Sequence, residues 1–374
     1  MTDAATDGRA TIDREEARTL LRDLVEIPSP SGEERAAAER LVTFFEAHGR
    51  RAWLDRVGNV RAPVDDALLM TSHVDTVPGE IPVRIDEGEH GPSLWGRGSV
   101  DATGALAAMA VAAVDTNVSF VGVLGEEADS RGARYLVAER DEPDAVINGE
   151  PSGWDALTLG YRGFLGGTYR TSTESAHGSR PEPNAIQDAI RWWNRVEAAF
   201  GADSEDDDAA DAAAIADRVT AKPTTFDGGA SDDGLAVVAS VRFQLRIPTD
   251  RSADDVREVV DELTDDGAID WDDPIPPHRS SPRTTVAQAF RAAIRAEGGN
   301  PRLLRKTGTS DANLYADAWD CPVATYGPGD SSLDHTPDER LSLREFDRSV
   351  AVLRRVARRF RGERAVTRPG GERS

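Results

Sequence analysis

Three short apolar runs, residues 67–71, 119–124 and 145–147, each stop at a cluster of polar side chains: Ser-His-Val-Asp at 72–75, Gly-Glu-Glu at 125–127 and Asn-Gly-Glu-Pro at 148–151. Runs this brief, apolar at most positions rather than at alternate ones, read as strands buried on both faces, the signature of a mostly parallel sheet. The Ala-rich apolar stretch 103–114 supplies a packed crossover helix, so the fold class is α/β. Ligands of open parallel sheets gather at the carboxyl ends of the strands. The three polar clusters therefore stand where a site belongs.

Helical periodicity predicts further helices over 13–26, ended by Pro28, and from Ser31, which opens a Ser-x-x-Glu capping box, to about His48. After Arg162 the pattern changes: strand 168–173, helix 184–200, alternating strand 236–247 and helix 253–263, which fit two helices on a small antiparallel sheet. The Pro-rich stretch 274–282 then leads back to a late strand, 322–326, and a closing helix, 343–360. The expected organisation is a catalytic domain in two parts, 1–162 and 282–374, interrupted by an inserted α+β (ferredoxin-like) domain over 163–281.

At 374 residues the chain can bury a core without a disulfide or metal staple, and its single cysteine, Cys321, excludes both an internal disulfide and a cysteine-rich zinc knuckle. A metal site must use His, Asp and Glu. The formal net charge of −23 disfavours nucleic acid and anionic membrane surfaces as partners, and no apolar run reaches the ~18 residues that cross a bilayer. A cytoplasmic protein is expected. Lys222 and Lys306 are the sole lysines among 44 basic residues, and runs such as 204–211 are Asp-rich. That bias points to a salt-adapted interior, because at molar salt the Debye length falls to roughly 3 Å and a dense acidic surface ceases to repel itself.

Gly-Arg-Gly-Ser-Val-Asp-Ala-Thr-Gly at 96–104 and Leu-Asp-His-Thr-Pro at 333–337 complete an inventory of two histidines and several carboxylates on separate loops. That is a donor set for two hard-to-borderline cations. A single His-x-Asp is ordinarily a satisfied surface pair, and adjacent Glu126 and Glu127 are ordinarily a solvated turn; the order and spacing of all the pieces together argue otherwise. His48, His90 and His278 lie outside these motifs and read as surface residues.

As a set, the motifs resemble the zinc aminoacylase family that includes carboxypeptidase G, acetylornithine deacetylase and succinyl-diaminopimelate desuccinylase, over nearly the whole chain. The resemblance implies two divalent metal ions, zinc with cobalt possible, one held by His73, Asp101 and Glu150 and the other by Asp101, Glu127 and His335, with Asp101 bridging. It implies a cis Asp101–Ala102 bond, Glu126 as the base that takes a proton from water and returns it to the leaving amine, and Asp75 behind His73, its carboxylate fixing the imidazole. Ser-Ala-His-Gly-Ser at 175–179 resembles the family segment whose histidine stabilises the tetrahedral oxyanion, which makes His177 catalytic and the inserted domain a lid and homodimer interface. Arg246 resembles the arginine that grips a substrate carboxylate.

Lys306-Thr-Gly-Thr-Ser-Asp-Ala-Asn-Leu, with the segment from Tyr326 to Glu339, further resembles the hydrolases that release lysine or ornithine from LysW, a small acidic amino-group carrier protein. Those enzymes cut the amide between the carrier's terminal glutamate γ-carboxyl and the amino acid, at the end of lysine or arginine biosynthesis. Lys306, Ser310 and Asp311 are then candidate substrate contacts, against a reading of the last two as turn and cap residues. The alternatives are a small-molecule deacylase acting on acetylornithine or succinyl-diaminopimelate and, in another class, a non-catalytic metal-dependent binding protein, which would be expected to lack the base Glu126.

Overall fold

The computed structural model describes residues 11–88, 91–175, 181–201 and 215–367, with side chains of the last helix described up to Arg361. Two compact units emerge: Met1–Leu159 with Ser280–Leu304 and Ser310–Ser374, and Gly160–Arg279 with Arg305–Thr309. Segment 305–309 joins the second unit because the Arg162 Nε donates to the Thr307 carbonyl at 2.8 Å and Arg246 reaches the Thr309 hydroxyl at 3.3 Å. Apolar periodicity carries no sign of such contacts, which is why sequence places this segment with the closing part.

In the first unit, strands Ser119–Val123, Leu69–His73, Val146–Gly149 and Val323–Thr325 lie side by side in that order and all parallel. Their residues are buried without exception, as strands covered on both faces are. Antiparallel strands Val60–Ala62 and Ala156–Tyr161 flank the four. Helix Thr103–Thr116 is buried on all sides, its alanines letting the sheet and the closing helix approach closely, and it stops at Asn117 in the left-handed conformation. A small antiparallel sheet of Arg84–Gly88, Gly91–Trp95 and Arg340–Ser342, absent from the sequence reading, completes the unit.

The second unit is a β-α-β-β-α-β arrangement. Its antiparallel sheet runs in the order Thr220–Ala230, Ala236–Ile247, Gly163–Glu174, Ala268–Trp271, with helices Ala185–Ala199 and Ala253–Glu262 packed against it. Numbered along the chain, that order is the ferredoxin-like one. Alternation in Ala236–Ile247 turns Ala239, Val241, Phe243, Leu245 and Ile247 toward the helices, where Tyr169 stacks on Trp192 with centroids 4.1 Å apart.

Three local expectations are corrected. Ser31 does not cap a helix: the helix is Arg35–Ala47 with Glu34 at its N-cap, and the Ser31 hydroxyl donates to Asp75 at 2.7 Å. The closing helix extends beyond residue 360, over Leu343–Thr367. His48 and His278 are half-buried rather than surface residues. His48 bridges the Phe44 carbonyl and Glu16, and burial presses the His278 pKa down to about 4. His90 and residues 204–211 fall outside the described residues. Among the described residues no helix is long and apolar enough to cross a membrane.

Candidate metal centre

The parallel register brings His73 opposite Val123 and Ser72 opposite Gly149, so the three strands release their polar clusters at the same edge. His73 ends its strand, Glu126 and Glu127 follow the second strand at a Gly125 turn, and Glu150 follows the third. Asp101 arrives on the loop from strand Gly91–Trp95 to helix Thr103–Thr116, whose cis Asp101–Ala102 bond agrees with the expectation. Gly98 makes this loop possible. Its φ is +81°, and a Cβ there would stand 2.6 Å from the Thr76 methyl.

The side chains converge on Asp101. Its Oδ1 lies 3.2 Å from His73 Nε2 and its Oδ2 lies 3.1 Å from His335 Nε2. Glu150 approaches His73 Nε2 at 3.8 Å, and Glu127 approaches His335 Nε2 at 3.1 Å. Donor atoms of His73, Asp101 and Glu127 fall within 4.8 Å of one another. Two imidazoles thus face opposite oxygens of one carboxylate, each with a second carboxylate beside it, a donor chemistry that fits two borderline cations.

Asp75 sits behind His73 by a route different from the one expected. His73 Nδ1 is 2.8 Å from the Asp75 main-chain carbonyl but 3.6 Å from its carboxylate, so the carbonyl fixes the ring. The fully buried carboxylate instead accepts backbone N–H groups of Gly125, Glu126 and Glu127 at 2.9, 3.1 and 3.1 Å, with the Ser31 hydroxyl as fourth donor. It holds the turn that carries both the expected base and a donor residue.

Electrostatics divide the carboxylates. Burial pushes the Glu126 carboxyl well above the usual range and the charge of Glu150 pushes it further. Burial also raises Asp75, but the nearby charge of His73 and the hydrogen bonds from the Ser31 hydroxyl and the Glu127 N–H outweigh it and bring the pKa down to about 2. The hydrogen bond to Asp101 lifts His335 to about 9 against its partial burial.

Other expected residues are distributed between the units. Arg246 lies in the second, over the Phe164 ring at 5.0 Å, and Lys306 ends the strand Arg302–Lys306. Ser310 and Asp311 are buried in the first unit, where Ser310 accepts from the Ala312 N–H and caps helix Asp311–Ala318, the cap alternative for that residue. Burial raises the Asp311 pKa to about 7. His177 lies outside the described residues.

A parallel α/β unit with a carboxylate-and-imidazole cluster at its strand ends, joined to a ferredoxin-like unit, defines a hydrolase of the metallopeptidase class. The model of peptidase family M20/M25/M40 matches residues 69–359, and the chain belongs to that family. A LysW-lysine hydrolase of Deinococcus radiodurans is 40% identical over 370 residues, covering 94% of this chain and 99% of the relative. A LysW-lysine/LysW-ornithine hydrolase of Saccharolobus islandicus is 29% identical, covering 89% and 92%. Among solved structures, an M20 metallo-carboxypeptidase of Sulfolobus solfataricus superposes with a TM-score of 0.75 at 19% identity, covering 93% of this chain and 99% of its own. A dinuclear metal-binding M20 peptidase of Bacillus subtilis gives 0.64 at 12% identity, covering 92% and 97%.

Proposed function

We propose that this chain hydrolyses the amide joining lysine or ornithine to the terminal glutamate γ-carboxyl of an acidic amino-group carrier protein of the LysW kind. The carrying observation is the pair of Asp101 oxygens, one facing each imidazole. The near full-length similarity to a LysW-lysine hydrolase supports the substrate. His73, Asp101 and Glu150 would hold one cation and Asp101, Glu127 and His335 the other, zinc first, with cobalt fitting the same donors. Bound there, such cations would supply Lewis-acid chemistry, acidifying a water molecule and polarising the scissile carbonyl. Glu126 takes the water's proton and passes it to the departing α-amine, leaving the γ-carboxylate on the carrier and the free amino acid. Asp75 keeps the Glu126 turn in place, His177 stabilises the oxyanion, and Arg246, Lys306, Ser310 and Asp311 make up the substrate-binding set. The ferredoxin-like unit acts as lid and homodimer interface of a cytoplasmic, salt-adapted enzyme.

The test is amino-acid release at high salt by metal-loaded protein offered carrier-linked lysine, carrier-linked ornithine, acetylornithine and succinyl-diaminopimelate, with Glu126→Ala as control. Release from the carrier-linked amides, lost in Glu126→Ala, is expected. Turnover of the free acylated amino acids alone would overturn the carrier substrate and leave the small-molecule deacylase; metal binding without turnover of any of the four would leave the non-catalytic reading.

A further inference from the structure

Glu339 immediately precedes the strand Arg340–Ser342, far in sequence from the loop that carries Asp101, yet its buried carboxylate ends on that loop. Oε1 accepts the backbone N–H of Val100 at 3.0 Å and of Asp101 at 3.1 Å, and Oε2 accepts from Arg97 at 2.8 Å. The Glu339 side chain is 1% exposed and that of Arg97 16%, so the ion pair is largely shielded from water. Its backbone is equally tied: Arg340 pairs with Trp95 across the small sheet, and the Gly96 N–H meets the Glu339 carbonyl at 3.4 Å. Arg97 also reaches the Thr336 carbonyl, one residue past His335, whose own φ is +59°. Glu339 thus fastens the Asp101 loop to the segment that delivers His335.

A carboxylate accepting two successive N–H groups fixes the direction of the intervening peptide, and with it the side chain that follows. We propose that Glu339, oriented by Arg97, is the positioning residue of this centre, setting the Asp101 carboxylate so that its two oxygens meet His73 and His335 together. The proposal rests on the reading of these residues as a metal site. It also explains a buried charge that packing alone leaves costly.

The measurement is zinc affinity of wild type, Glu339→Ala, Glu339→Gln and Arg97→Gln, by competition with a chromophoric chelator, with thermal melting of each metal-free protein. Leu353→Ala, a fully buried change in the closing helix, serves as the destabilised control. Removing a residue that orients a metal ligand lowers metal affinity about 10- to 100-fold. That loss is expected for Glu339→Ala, with a smaller one for Glu339→Gln, which keeps an acceptor oxygen, and for Arg97→Gln, while Leu353→Ala melts earlier but binds zinc as wild type does. If Glu339→Ala fails to fold, the Gln and Arg97 variants decide. Folded variants with wild-type affinity, or losses matched by Leu353→Ala, would overturn the proposal. A wild type that binds no zinc would instead overturn the metal site itself.

Discussion

At the scale of single residues, His73, Glu126, Glu127 and Glu150 are conspicuous in sequence because they end or follow apolar strands, whereas Asp101 and His335 stand out only through the motifs and the family resemblance; His73, Asp101, Glu127, Glu150 and His335 approach one another in space. The contacts that hold them are not legible, even where the residue is, as with Asp75. Asp75, Ser31 and Glu339 act on backbone N–H groups or on one another across the fold, and a backbone donor leaves no mark on residue type, so Ser31 imitates a capping box. Asp75→Ala removes the acceptor of three backbone donors and one hydroxyl. Each unsatisfied buried donor costs ~1–3 kcal/mol, so a loss of about 3 kcal/mol in urea unfolding is expected, with Asp75→Asn milder. Equal losses in the two variants would assign the effect to the charge beside His73 instead. His278 gives a pH signature. Its pKa is depressed from 6.5 to about 4 in the folded chain, so the unfolded chain binds the extra proton between those values and stability falls as pH drops through that window. From pH 6.5 to 5 this amounts to about 2 kcal/mol, and His278→Gln should lessen the pH dependence of unfolding by that amount.

At the scale of elements, the buried parallel strands and helix Thr103–Thr116 are legible because their burial on all sides dictates a largely apolar composition without helical or alternating polar positions. The small sheet of Arg84–Gly88, Gly91–Trp95 and Arg340–Ser342 is not, since Arg84–Gly88 is exposed throughout and shows no apolar alternation. The loop joining that sheet to the helix depends on Gly98. Gly98→Ala would meet both a left-handed backbone and the Thr76 methyl at 2.6 Å. A destabilisation above about 1 kcal/mol is expected, with weaker zinc binding because the same loop presents Asp101. Unaltered melting and affinity would show that the loop relaxes without moving the carboxylate.

At the scale of the molecule, the dominant quantity is a formal charge of −23, carried by 67 acidic against 44 basic residues. Many arginines sit in surface ion pairs such as Arg35 with Glu39 and Arg84 with Asp86, each worth ~0–1 kcal/mol, so pairing does not cancel the excess. The repulsion acts over the Debye length, roughly 30 Å at 0.01 M salt and roughly 3 Å at 1 M. At the lower concentration each carboxylate senses many others; at the higher it senses its nearest neighbours alone. Since the folded chain is far more compact than the unfolded one, repulsion destabilises it more, and salt relieves the folded state preferentially. The melting temperature of the metal-loaded protein should therefore rise steadily from 0.01 to 1 M potassium chloride. A rise that saturates near 0.1 M would mean that ordinary screening of a few surface pairs suffices, and a flat response would show that the acidic excess is spread too thinly to strain the fold.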